Sequence, residues 1–253
     1  MMRYWLAAGA AALLLVAGIA IAATNAASNP SLKSSFTPDQ QAEIGAIVKS
    51  YLMEHPEVLV DAMDALQAKQ DQAAKDKAAA VIKSRPNDIY NDGYSFVAGN
   101  PNAKVTLVEF FDYNCAYCRK AFDKMMTLAK PDSKVKFIFK EFPILTPESE
   151  VAAKAAFAAK KQNKYLEFHK GLMSHPGRAN EEAIEEVAKK IGLDMTAFHK
   201  DMNAPDAAAH VKANLALGSD LGIDGTPSFI VNGKLIDGWS EKDVDDAINA
   251  QKG

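Results

Sequence analysis

The first pattern along the chain is an uninterrupted apolar run close to its N-terminus. Residues 6–23 contain no charged side chain, Arg3 precedes them, and a triplet of small and apolar residues lies at positions 20–22. This arrangement is typical of a cleaved export signal, so we predict a signal peptide over residues 1–23. An uncleaved membrane anchor is the alternative, because about 18 apolar residues approach the length that spans a bilayer.

A helical arm is predicted next. The threonine–proline pair at 37–38 provides an N-cap and a proline at the first helical position, and residues 44–51 place apolar side chains on one face at helical spacing. Residues 57–83 contain no Gly or Pro and carry only a thin apolar stripe. A long helix with so thin an apolar stripe cannot bury these side chains without a packing partner. We therefore predict an oligomerisation arm over residues 36–84. A solvated helical spacer is the alternative.

The remaining chain alternates strand and helix patterns after a Pro-, Gly- and Asn-rich stretch that is predicted to be a linker. Residues 104–111 and 134–142 are short, β-branched and aromatic, as buried strands are, and residues 228–236 form a hairpin around an Asn-Gly turn. A mostly helical tract at about 146–222 separates the second strand from the hairpin. This order predicts an α/β domain with a helical insertion over residues 85–253.

Composition and charge restrict the class of function. The chain has 253 residues, of which 48% are hydrophobic and 24% charged, so it can bury a core and is not expected to be disordered. The formal net charge of -3 provides no basic excess that would attract a phosphate backbone. We therefore expect no nucleic-acid partner.

The two cysteines of the sequence, Cys115 and Cys118, lie where the first strand turns into a helix. The start of a helix exposes unpaired N–H groups and the positive end of the helix dipole, and both stabilise a thiolate. Cys115, nearer the helix start and expected to be exposed, is the predicted nucleophile. Cys118, one turn further and expected to be shielded, is the predicted resolving thiol. The pair therefore predicts thiol–disulfide exchange with no cofactor beyond its own redox-active disulfide.

Other uses of the cysteine pair are weaker on chemical grounds. A structural zinc site needs four ligands, and one cysteine pair with five scattered histidines does not supply them, so no metal site is predicted. A purely structural bridge across so short a loop would add only about 2 kcal/mol of stability. Capture of copper(I), a soft ion suited to thiolates, stays open as an alternative.

Two segments together carry a resemblance to a known family. The segments are 110–118, which ends in the cysteine pair, and 225–229, which follows the helical tract. In this order they resemble the exported DsbA-like thiol–disulfide oxidoreductases of the thioredoxin superfamily, and in particular the ScsC-like oligomeric branch. The resemblance implies a thioredoxin-like fold with a helical insertion, preceded by an N-terminal α-helical oligomerisation arm.

The resemblance also implies roles for residues outside the cysteine pair. Pro227 matches the family's cis-proline beside the sulfurs, and Thr226 would offer backbone groups to an extended substrate; an ordinary trans-proline is the alternative. Glu109 falls where related proteins place a buried acid beneath the second cysteine, and it would relay that cysteine's proton. An exposed or ion-paired carboxylate is the alternative reading of Glu109. Thr226 and Tyr117 both resemble the isomerase-type relatives and are predicted to contact the substrate.

The sequence therefore predicts a periplasmic thiol–disulfide oxidoreductase or isomerase acting on the cysteines of exported proteins. Isomerase or reductase activity is favoured over pure oxidase activity, because the Ala116-Tyr117 dipeptide carries no charge that would further stabilise a thiolate. A dithiol oxidase that introduces disulfides is the alternative. The expected partners are cysteine-containing clients, a membrane redox partner and other copies of the chain.

Overall fold

The computed structural model describes residues 36–250, so the predicted signal peptide lies outside the described residues. The chain divides into two compact units between residues 62 and 63, a point within the predicted arm. The first unit contains α1 (Pro38–Glu54) and the beginning of α2 (Glu57–Ser84). Thr37 caps α1 through a capping box with Gln40, and no residue of α1 is buried.

The second unit contains a five-stranded mixed sheet. The strands are β1 (Phe96–Gly99), β2 (Val105–Phe111), β3 (Val135–Glu141), β4 (Ser228–Val231) and β5 (Lys234–Asp237). Their order in the sheet is β1-β3-β2-β4-β5. Strands β2 and β3 pair in parallel, and the other three pairings are antiparallel.

Eight further helices accompany the sheet within the described residues, and five of them make up the insertion between β3 and β4. The predicted thioredoxin-like α/β fold with a helical insertion is confirmed. The helices are α3 (Pro86–Tyr90), α4 (Ala116–Leu128), α5 (Pro147–Lys161), α6 (Tyr165–Met173), α7 (Glu181–Lys190), α8 (Met195–Met202), α9 (Pro205–Leu221) and α10 (Glu241–Asn249).

Apolar residues form one core on each face of the sheet. The larger core contains both cysteines, the Phe side chains of β3 and the apolar faces of the insertion helices α5 to α8. The smaller core contains Val108 and Ile230 from the sheet together with Ile82 from α2. The C-terminal part of α2 therefore packs on the same core as the strands.

The predicted hairpin is confirmed, and the predicted linker is more structured than expected. Asn232 and Gly233 have φ angles of 45° and 86°, which is the left-handed backbone that a type I′ turn requires. The linker contains α3 and the edge strand β1 instead of irregular chain. Strand β1 is antiparallel to β3, and β1 has only four residues, too few for a clear alternating pattern. Within residues 36–250, no helix has both the length and the apolarity to cross a bilayer.

Candidate active site

Cys115 is the N-cap residue of α4 and follows directly on the loop that leaves β2. Its Sγ accepts a hydrogen bond from the backbone N–H of Cys118 at 3.3 Å. A side-chain hydrogen bond from Cys118, followed by contacts from Thr226 and backbone N–H groups, lowers the pKa of Cys115 to about 6 despite partial desolvation. The helix start therefore stabilises the thiolate at this sulfur, as its place in the sequence predicts.

The prediction that Cys115 is exposed is wrong, because the residue is only 4% exposed. Its Sγ lies 3.1 Å from the carbonyl oxygen of Thr226, to which the thiol form donates a hydrogen bond, so the chain before Pro227 lies directly against the sulfur. The Thr226–Pro227 peptide bond is cis, as the resemblance implies. Any group that reacts with Cys115 must therefore approach its sulfur beside this segment.

Cys118 lies one turn along α4 and is fully buried. Burial raises the pKa of the Cys118 thiol above its ordinary value, and the neighbouring Cys115 and Glu109 raise it further. The pKa values of the two thiols are therefore shifted in opposite directions. At neutral pH, Cys115 is largely a thiolate and Cys118 is a thiol.

Glu109 on β2 is 2% exposed, and it forms no salt bridge within residues 36–250. The structure thus excludes the exposed and ion-paired alternatives for this carboxyl group. Burial first, and then the charge of Cys115, raise the pKa of Glu109 to about 8. A carboxyl group with this pKa can exchange protons near neutral pH.

Tyr117 occupies the first turn of α4 between the two cysteines, and 63% of its surface is exposed. Two more large apolar residues, Ile144 and Leu145, are exposed in the loop between β3 and α5. The side chain of Tyr117 therefore lies at the surface, while its backbone N–H helps to lower the pKa of Cys115.

Asp112 is a site residue that the sequence analysis missed. It is 1% exposed, and its carboxylate accepts backbone N–H groups from Asn114 at 2.8 Å, Ile144 at 3.1 Å and Leu145 at 3.0 Å. Its own carbonyl oxygen accepts the N–H of Cys115 at 3.0 Å. One buried carboxylate thus joins the cysteine loop to the loop after β3. An aspartate followed two residues later by asparagine is a turn signal that could have indicated it.

Asn114 and Arg119 attach the cysteine loop to the helical insertion. The Asn114 side chain donates to Ser149 at 3.1 Å and accepts from the N–H of Ala179 at 2.8 Å. Arg119 donates to the carbonyl oxygens of three residues, one in the cysteine loop and two around the end of α6. These are Tyr113 at 3.0 Å, Met173 at 3.2 Å and His175 at 2.6 Å.

Beneath the loop, the hydroxyl group of Tyr113 lies 3.2 Å from Nδ1 of His169 on α6. Burial lowers the pKa of His169 to about 3, so this ring is neutral and extends the packed aromatic core. No group of three or more His, Cys, Asp or Glu side chains in residues 36–250 is placed to hold a metal ion. The site therefore consists of two unequal sulfurs, a buried carboxyl group and the cis-proline segment.

Two family models match the chain. A model described as thioredoxin matches residues 91–250, and one described as the copper resistance protein ScsC N-terminal domain matches residues 40–73. Curated relatives include a sodium/proton antiporter, NhaA 1, from Salinispora arenicola, which is 30% identical over 141 residues. The chain spans only 22% of that antiporter's length, and the match covers 54% of the chain.

Solved structures give longer matches. A thioredoxin-like oxidoreductase from Silicibacter pomeroyi is 42% identical with a TM-score of 0.63, covering 66% of this chain and 98% of that one. The thiol–disulfide exchange protein alpha-DsbA2 from Wolbachia pipientis is 30% identical with a TM-score of 0.64, covering 70% and 97%. ScsC from Proteus mirabilis, in a transitional conformation, is 26% identical with a TM-score of 0.60, covering 85% and 98%.

Proposed function

Because the chain belongs to the thioredoxin family, we propose that it is a periplasmic thiol–disulfide oxidoreductase acting on the cysteines of exported proteins. Thiol–disulfide chemistry is supported by the relatives, one of which is itself a thiol–disulfide exchange protein. The observation that carries the proposal is the unequal pair of sulfurs, one with a pKa of about 6 and one kept protonated by burial. Such a pair separates an attacking thiolate from a resolving thiol.

The exchange begins at Cys115. Its thiolate attacks one sulfur of a client disulfide, forms a new S–S bond with it, and expels the other client sulfur as a thiolate. In the mixed disulfide, Cys115 no longer carries the charge that helps to raise the pKa of Glu109, so more of this carboxyl group is ionised and can take the proton of Cys118. The resulting Cys118 thiolate attacks the sulfur of Cys115, which closes the Cys115–Cys118 bond and releases the second client sulfur. The client gains two electrons and two protons, and the enzyme pair becomes a disulfide.

The segment before the cis-proline holds the client during this exchange. The carbonyl oxygen of Thr226 already faces Sγ of Cys115, so an extended client chain lying along this segment has its disulfide beside the nucleophile. Tyr117 supplies an exposed aromatic surface next to the same sulfur.

Isomerase or reductase activity is the direction that we favour. The dipeptide between the cysteines adds no positive charge near Cys115, and strong oxidases rely on extra stabilisation of the thiolate. The alternative, a dithiol oxidase, requires the pair to be kept oxidised by its membrane partner. The reduction potential of the pair and its redox state in the cell distinguish the two directions.

Self-association through the helical arm is the second part of the proposal. No residue of α1 is buried in the first unit, although the helix carries several large apolar side chains. Exposed apolar surface of this extent is typical of an interaction face. Several active sites held in one assembly would suit repair of a misfolded client. The exposed large apolar residues of α1 are Ile44, Ile47, Val48, Tyr51 and Met53.

Trapping of mixed disulfides tests the assignment of roles. Cys118→Ala leaves the attacking thiolate without a resolving partner, so client adducts should accumulate on Cys115. Cys115→Ala removes the attacking group, so no adducts should form. Equal trapping by both variants would contradict the roles, and no trapping by either would contradict the proposed activity.

Copper(I) binding is the second candidate function, favoured by the match of residues 40–73 to a copper resistance family. Two thiolates could ligate this soft ion. The burial of Cys118 opposes such a site, because a ligating sulfur must lose its proton and burial raises the pKa of this thiol. Tight, stoichiometric copper(I) uptake without insulin reduction or repair of scrambled substrates would favour this candidate over redox exchange.

A further inference from the structure

A groove of about 660 Å³ lies between the C-terminal half of α2 and the β4–β5 hairpin. Apolar side chains line much of it, and polar and charged residues occupy its rim. The apolar lining includes Ala74, Ala78 and Ile82 from α2, Leu221 from the end of α9, and Leu235 from β5.

One wall of the groove is an open sheet edge. Among the described strands, β5 pairs with β4 alone. The two-residue turn makes Val231 and Lys234 a hydrogen-bonded pair, and such pairs alternate along an antiparallel ladder. Leu235 and Asp237 therefore direct their N–H and C=O groups away from β4, and both residues line the groove. An edge with such backbone groups is a template for an extended segment.

One end of the groove lies close to the candidate active site. Asp237 lies opposite Ser228, the residue that follows Pro227. The step across the sheet from Asp237 to Ser228 is about 5 Å, and Thr226 lies two residues before Ser228 along the chain. This end of the groove is therefore roughly 10 Å from the Thr226 carbonyl group. That carbonyl group is 3.1 Å from Sγ of Cys115. About three to four extended residues would join a disulfide at Cys115 to a segment in the groove.

The lining of the groove has three carboxylates, from Asp71, Asp76 and Asp237, against two ammonium groups, from Lys75 and Lys234, so its net charge favours a basic side chain. Neither Asp237 nor Asp224 forms a salt bridge within residues 63–250. Burial and the carboxylate of Asp224 raise the pKa of Asp237, and Lys75 on α2 lowers it. A cation from a bound segment would reduce the repulsion between the two carboxylates.

We propose that this groove binds an extended, apolar segment of the client polypeptide that flanks the reacting cysteine and carries a basic residue opposite Asp237. The inference rests on the proposed function and narrows its substrate class. Only an unfolded or misfolded chain can supply an unpaired extended segment, so the preferred clients are exported proteins whose reacting disulfides lie in unfolded regions with apolar flanks.

Single-turnover reduction of peptide disulfides tests the proposal in the full-length, pre-reduced protein. The probes are synthetic peptides joined through one cysteine to glutathione, with an apolar flank and one lysine placed before or after the cysteine. Each reaction yields the Cys115–Cys118 disulfide, the peptide thiol and glutathione, so electrons and protons balance. Ala74→Trp fills the groove from an exposed position, and Ala73→Trp is the matched control because Ala73 does not line the groove.

For at least one of the peptides, Ala74→Trp should raise the half-saturation concentration about tenfold relative to Ala73→Trp, while the saturated rate constant stays unchanged. Asp237→Asn should raise the half-saturation concentration for the peptide that carries lysine. It should leave the half-saturation concentration unchanged for the same peptide with leucine in place of lysine. Reduction of glutathione disulfide, which is too small to reach the groove, should be equal in all variants.

Equal half-saturation concentrations for the two tryptophan variants would overturn the proposal while leaving the proposed function intact. A lower oligomeric mass of Ala74→Trp without any change in half-saturation would assign the groove to a second copy of the chain and would also overturn it. Failure of the wild-type protein to react with glutathione disulfide would instead remove the proposed function itself.

Discussion

The buried carboxylate of Asp112 accepts the backbone N–H of Leu145, a residue that lies 33 positions further along the chain, at 3.0 Å. Through the same oxygen it also accepts the N–H of Ile144 at 3.1 Å. Because Asp112 also accepts hydrogen bonds from the cysteine loop, two loops that surround the sulfur depend on one side chain. The positions of Cys115 and of the exposed Ile144–Leu145 surface are therefore coupled.

Asp112→Asn should weaken this coupling without changing the size of the side chain. An amide group can accept hydrogen bonds through its oxygen only, so at least one buried N–H loses its acceptor and about 1–3 kcal/mol of unfolding free energy is lost. Chemical denaturation measures this loss, and proteolysis should become faster within residues 143–146. Asp132→Asn, at an exposed position, is the control and should change neither.

The pH dependence of alkylation tests the acidity of Cys115. The rate with iodoacetamide follows the thiolate fraction, so it should rise with pH around a midpoint of about 6 in the reduced protein. In Cys118→Ala the midpoint should move upward, because the side chain of Cys118 contributes the largest lowering of the Cys115 pKa. A wild-type midpoint near that of an ordinary cysteine would remove the basis for Cys115 as the nucleophile.

Glu109→Gln should slow resolution and leave the initial attack nearly unchanged. Glutamine cannot take the proton of Cys118, so the second step should slow about a hundredfold and the mixed disulfide should accumulate. Quenched-flow mass spectrometry separates the two steps. Glu167→Gln, which changes an exposed carboxylate, is the control. Equal slowing of both steps would indicate a general disturbance of the site and contradict the relay.

Glu109→Gln should also change how the unfolding free energy depends on pH. The folded pKa of Glu109, about 8, lies above the ordinary value of 4.5 for a glutamate carboxyl group. Its contribution to stability is therefore fully present below pH 4.5 and is lost as the pH rises through 8. The unfolding free energy of wild type relative to Glu109→Gln should fall across this window. A constant difference would mean that the carboxyl group is not protonated in the folded protein.

The sequence predicted the parts of the fold that depend on local patterns and missed those that depend on distant partners. The strands β2 and β3 and the Asn-Gly hairpin carry their own signals of burial and turn geometry. Asp112 did not, because its main partners lie more than 30 residues away. The burial of Cys115 depends in the same way on Thr226, which packing alone brings against the sulfur. Pro227 as a cis residue was expected only through the family resemblance.

Close packing between α9 and Phe142, the residue that follows β3, gives a further stability prediction. A Cβ atom on Gly218 would meet the ring of Phe142, whose side chain is buried. Gly218→Ala should therefore lower the unfolding free energy even though alanine favours a helix by about 1 kcal/mol over glycine. The cost should shrink in a Phe142→Leu background, and a double-mutant cycle by denaturation measures the coupling. An additive cycle would contradict the contact.

Self-association of the arm predicts a change in molecular mass. Ile47 is 61% exposed on the apolar face of α1, whereas Ala46 lies on the opposite side of the same helix. Ile47→Glu places a charge where a second copy would pack, so the mass measured by light scattering should fall. Ala46→Glu adds the same charge away from that face and should leave the mass unchanged. A monomeric wild-type protein, or equal masses for both variants, would show that α1 is a solvated spacer.

Reduction of glutathione disulfide should continue in both variants, whatever their mass. The reason is that the sulfurs of each copy and their contacts lie within residues 63–250.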